Sequence, residues 1–89
     1  MLFRSLFVQA RYNLGIALSK LGRTGEAVAA YEDALKIQSD FKAVRINLGI
    51  LYYNQGDVEN AAKQFKEVLE LDPQNAAARS ALQQMGVAR

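Results

Sequence analysis

Apolar residues recur at helical spacing along most of the chain. Val8, Tyr12, Leu14, Ala17, Leu18 and Leu21 form a first periodic run, followed by Ala27, Val28, Tyr31, Ala34, Leu35 and Ile37. Phe41, Val44, Leu48, Leu51 and Tyr52 form a third. Ala61, Phe65, Val68, Leu69 and Leu71 form a fourth, and Ala78, Leu82 and Met85 a short fifth. The breaks fall where backbone chemistry demands them. Gly22 and Gly56 suit the left-handed stop of a helix, and Asp72-Pro73 ends the fourth run because the residue before proline is pushed out of helical geometry. Thr24, Asp40, Asp57 and Asn75 are the expected N-caps of the helices that follow. The pattern predicts five helices arranged as antiparallel pairs with short turns.

The pattern also repeats. Asn13-Leu14-Gly15 returns as Asn47-Leu48-Gly49, an offset of 34, and Gly22, Ala27, Tyr31 and Leu35 shift onto Gly56, Ala61, Phe65 and Leu69. Arg45 and Leu48 shift again onto Arg79 and Leu82, where the third copy stops. Self-similarity at this period marks an all-α solenoid. The boundaries are 8–41 and 42–75 for two units and 76–89 for a terminal helix with a wet outer face of Arg79, Ser80, Gln83 and Gln84. Residues 1–7 are either an extension of the first helix or the remnant of a preceding unit. Their Leu2, Phe3, Leu6 and Phe7 expose apolar surface unless something covers them, and are the candidate residues for self-association.

Spacing and residue types together resemble the tetratricopeptide repeat. The signature runs through Leu48-Gly49, Tyr52, Gly56, Ala61, Phe65, Val68 and Pro73 in the second unit. In the first it reads Leu14-Gly15, Leu18, Gly22, Ala27, Tyr31 and Ala34, with Ser39 where proline is usual. Arg11, Arg45 and Arg79 stand where the family commonly has tryptophan. The resemblance implies a right-handed superhelix of about two and a half units whose concave groove, lined by the first helix of each pair, binds an extended or helical peptide.

Within that reading Asn13 and Asn47 precede leucines expected to face the paired helix, and are turned about 100° away from them. An amide side chain pairs with both polar groups of a peptide backbone. Asn54 lies two turns beyond Asn47 on the same face. Gln9, Ile50 and Lys20 complete the expected binding surface, mostly neutral with one cation at its edge. A carboxylate clamp is not expected, because Gln9, Ala43 and Ala77 occupy the places where a basic residue would be needed. Arg45 and Arg79 are expected to pair with Asp33 and Glu67 twelve residues earlier, which makes the arginine column structural.

Composition narrows the chemistry further. The 89 residues include no cysteine and no histidine, so thiolate nucleophiles, disulfides and the commonest metal ligand are missing. Glu32 and Asp33 are adjacent and diverge around their helix, and no glycine-rich phosphate loop occurs. A non-catalytic interaction module with no cofactor and no metal is expected. The net charge of +2 is too small to suggest nucleic acid, and no apolar run reaches the roughly 20 residues of a membrane helix. The expected partners are therefore proteins or peptides, or further copies of the chain, in the cytoplasm. The alternative to groove binding is a structural unit that assembles through its N-terminal apolar segment.

Overall fold

A computed structural model describes residues 2–86, with side chains from Arg4 onward. Five helices follow one another: α1 (Leu2–Lys20), α2 (Thr24–Ile37), α3 (Lys42–Asn54), α4 (Val58–Leu71) and α5 (Ala76–Gln84). No strand occurs among the described residues, and the all-α expectation holds. The chain forms two compact units, Met1–Val44 and Arg45–Arg89, with the division inside the first turn of α3.

In the first unit α1 and α2 run antiparallel, since Arg4 near the start of α1 reaches the end of α2. Its Nε donates to the Ile37 carbonyl at 2.9 Å and its Nη2 donates to the same oxygen. A cation on a helix's last carbonyls is favourable both as a cap and against the helix dipole. The hairpin closes through Gly22 at φ +79°. There the Arg23 N–H donates to the Leu18 carbonyl at 2.9 Å, and the Gly22 N–H to the Ser19 carbonyl at 3.0 Å. Ala27, Tyr31 and Ala34 of α2 are buried, as are Val8 and Leu18 of α1. Tyr12 joins the core from α1, its ring 6.3 Å from that of Tyr31 and 5.1 Å from that of Phe41.

The second unit repeats these devices. Gly56 at φ +85° closes α3, with the Asp57 N–H on the Tyr52 carbonyl at 2.9 Å. Asp57 caps α4 by accepting from the Asn60 N–H at 3.1 Å, and Asn75 caps α5 by accepting from the Ala78 N–H at 2.9 Å. The α4 helix stops before Asp72, whose N–H bonds the Val68 carbonyl at 2.8 Å. Gln38, 34 residues earlier and without the proline, forms the same bond to Ala34 at 2.9 Å. Phe65, Val68, Ala61 and Ala62 of α4 share a core with Ala78 and Leu82 of α5.

The structure corrects four readings of the sequence. Arg23, not Thr24, occupies the N-cap of α2, because the turn at Gly22 already uses the Arg23 N–H and the helix begins at the next residue. Arg23 offers no side-chain cap to the α2 backbone. It forms an ion pair with Glu26 instead, at 2.8 Å. Phe41, not Asp40, immediately precedes α3. Leu14 does not face α2. Gly15 takes that direction, since a Cβ placed on it would run into the Tyr31 ring. The neighbouring residue points about 100° away, and Leu14 is 43% exposed whereas Leu48 is 1% exposed. Finally, Glu67 is held by Arg45 of its own hairpin, Nη1 to Oε1 at 2.7 Å, while Asp33 sits 3.8 Å from Lys36. Arg79 Nη1 donates to Gln74 Oε1 at 3.5 Å.

Candidate peptide-binding surface

On α1, Gln9, Asn13 and Lys20 are all exposed. Their spacing of four and seven residues sets them on one side of the helix. Gln9 Nε2 donates to Asn13 Oδ1 at 3.1 Å, so the two amides form a single polar patch. That bond occupies the Asn13 oxygen and leaves its N–H donors for a carbonyl acceptor. Lys20 ends the helix, where a cation is favoured by the dipole.

On α3, Asn47, Ile50 and Asn54 follow at intervals of three and four, and so share a face. Asn47 is half-buried, whereas Ile50 and Asn54 are exposed. Gly49 lies on another side of the helix, where its absent Cβ makes room for the Phe65 ring. The outer position of Ile50 is therefore fixed by the same close approach that joins α3 to α4.

Ile50 does not stand alone. With Tyr53 it borders a pocket of about 180 Å³ completed by Phe65 at its base and by Ala81, Gln84 and Met85 of α5. Ile50 and Tyr53 are each 47% exposed, an unusual allowance for two large apolar side chains on adjacent turns. The lining is apolar apart from the tyrosine hydroxyl and the Gln84 amide. Such a pocket accepts one apolar side chain and offers one amide to fix its backbone. The contribution of α5 was not visible in the sequence, where Gln84 reads as wet outer surface and Met85 as core. No period marks the pocket, because helices far apart in the chain make it.

Of the residues expected at an oligomer interface, Leu6 and Phe7 are exposed at 57% and 61%, and the side chains of Leu2 and Phe3 lie outside the described residues. Among the described residues no cluster of three or more carboxylate or other metal-ligating side chains occurs. No helix there is long and apolar enough to cross a membrane.

Known proteins give this arrangement its context. Residues 12–76 match the family model described as tetratricopeptide repeat. The chain is 38% identical over 65 residues to the BBSome complex member bbs-4 of Caenorhabditis elegans, covering 73% of this chain and 14% of that protein. It is 37% identical over 67 residues to a TPR repeat-containing protein of Methanocaldococcus jannaschii, covering 75% and 11% respectively. A third relative, the Protein CTR9 homolog of Arabidopsis thaliana, is 37% identical over 62 residues, covering 68% and 6%. The chain thus spans a small part of the length of each. Five helices with a 34-residue register and a family match over most of their length make this chain a member of the tetratricopeptide repeat family, whose members are in general protein-interaction modules.

Proposed function

We propose that this chain is a peptide-binding module whose second unit holds an apolar side chain of the ligand in the pocket between α3 and α5. The ligand's backbone pairs with amides on the exposed faces of the helices that open each pair. The carrying observation is the half-exposed pair Ile50 and Tyr53 over a pocket with an apolar base, on the same helix face as Asn47 and Asn54. Gln9 and Asn13 present a comparable amide patch on α1, with Lys20 at its edge. Few charges border the pocket, which favours a neutral, extended or helical segment over an acidic tail. The similarity to members of named complexes agrees with a protein as partner.

The reading is tested by selecting peptides from a displayed library on the immobilised chain. Each synthesised peptide is then titrated by fluorescence anisotropy against wild type, Ile50→Asp and Asn47→Ala. A charge in the pocket should weaken binding by more than about tenfold. Loss of one amide should cost about 1–3 kcal/mol, or roughly 5- to 100-fold. Circular dichroism confirms that each variant is folded. Peptides whose affinity is the same for all three proteins would show that the surface lies elsewhere.

A further inference from the structure

The outward side of α1 carries a second surface, on a different side of that helix from Gln9 and Asn13. Phe7, Leu14 and Leu21 follow at intervals of seven and are 61%, 43% and 69% exposed. Ala10 and Ala17, also exposed, fall between them. Leu21 continues the helical row, because its N–H donates to the Ala17 carbonyl at 3.1 Å. The intervals alternate three and four, which is the spacing of a seam built to receive another helix and not an extended strand. Thirty-four residues later the same places hold Phe41, Val44, Leu48 and Leu51, and every one of these is buried or half-buried. The fold thus uses this stripe as a packing surface in one copy and leaves it bare in the other.

Charge says what kind of helix fits. From Leu2 to Lys20 there is no acidic residue. Arg11 flanks the stripe on one side and Lys20 on the other, both exposed and neither in an ion pair among the described residues. A second copy docked through its own α1 would set these cations against themselves. We infer that the Phe7–Leu14–Leu21 stripe docks an amphipathic helix of a partner protein whose apolar seam is flanked by acidic residues. Contacts between the apolar seams supply the affinity, and carboxylates beside Arg11 and Lys20 set its selectivity. This inference stands apart from the peptide-binding reading, since it uses neither Ile50 nor Asn47.

The probe is a fluorescein-labelled 21-residue helical peptide with leucine at the first and fourth heptad positions and glutamate on both flanks. Its counterpart carries lysine on the flanks. Anisotropy titrations at 50 mM and 500 mM salt should show the glutamate probe binding about tenfold or more tighter at low salt, with the gap closing as screening shortens to a few ångströms. Leu14→Asp, at an exposed position that the fold does not need, should abolish binding while leaving helicity intact. The double change Arg11→Glu with Lys20→Glu should reverse the preference, and Ile50→Asp should leave it unchanged. Absence of binding, or equal affinity for both probes at low salt, overturns the inference. So does sedimentation equilibrium showing a wild-type dimer that Leu14→Asp converts to monomer, since a second copy would then be the occupant.

Discussion

Replacing Gly49 by alanine isolates the contact that joins α3 to α4. In a helix interior alanine is favoured over glycine by about 1 kcal/mol, so propensity alone predicts stabilisation. The structure predicts the reverse. A Cβ on Gly49 would lie 2.7 Å from Cζ and 2.8 Å from Cε2 of Phe65, against the roughly 3.5–4.0 Å of ordinary carbon contact. The ring would have to retreat by on the order of 1 Å, and Phe65, 2% exposed, is packed among Ala61, Val68, Ala78 and Leu82. Overpacking of a tight core costs about 1–3 kcal/mol. Set against the propensity gain, net destabilisation of about 1–2 kcal/mol is expected, a fall in Tm of about 5–15 °C for a domain of this size. Urea titration followed at 222 nm measures it. Gly25→Ala is the matched control, because Gly25 lies in the first turn of α2 with no atom within 4 Å of the added methyl. It should stabilise by up to about 1 kcal/mol. Combining Gly49→Ala with Phe65→Leu should cost less than the sum of the two single changes. If Gly49→Ala stabilises as much as Gly25→Ala does, the steric account of the conserved spacing between α3 and α4 is wrong.

Other substitutions probe the turns and the polar link within the second hairpin. Asp57→Ala removes the acceptor of the Asn60 N–H and should cost about 1 kcal/mol in thermal unfolding. Thr24→Ala, one place inside a helix without a side-chain cap, should cost less than about 0.5 kcal/mol. Gly56→Ala should destabilise by about 1 kcal/mol or more in urea, since φ is +85° there and a side chain is strained in that region even in open space. A double-mutant cycle on Arg45→Met and Glu67→Gln should give a coupling of about 1 kcal/mol, from a pair at 2.7 Å that is only partly exposed. A coupling near zero would assign Arg45 a packing role alone.

The sequence by itself determined where the helices lie, where they stop and how often the pattern returns. Those properties are local. Gly22 and Gly56 stop helices because their backbones can turn left-handed, and Asp57 and Asn75 start them because a short oxygen reaches the next free N–H. The placement of Gln9, Asn13 and Lys20 on one side of α1 also follows from helical spacing alone. Burial and partner choice required the tertiary structure, because both depend on residues far along the chain. Leu14 and Leu48 occupy equivalent places in the repeat yet differ from largely open to fully covered. Glu67 pairs with Arg45, 22 residues before it, and not with the arginine 12 residues after it. Gly15 and Gly49 read in sequence as members of a signature. Only the fold shows that each is a gap shaped for one aromatic ring, and that the pocket beside Ile50 is closed by a helix that the periodicity marks as mere cap. A repeat fixes equivalent backbones, but the environment of each side chain is set by whatever neighbours the assembled helices bring to it.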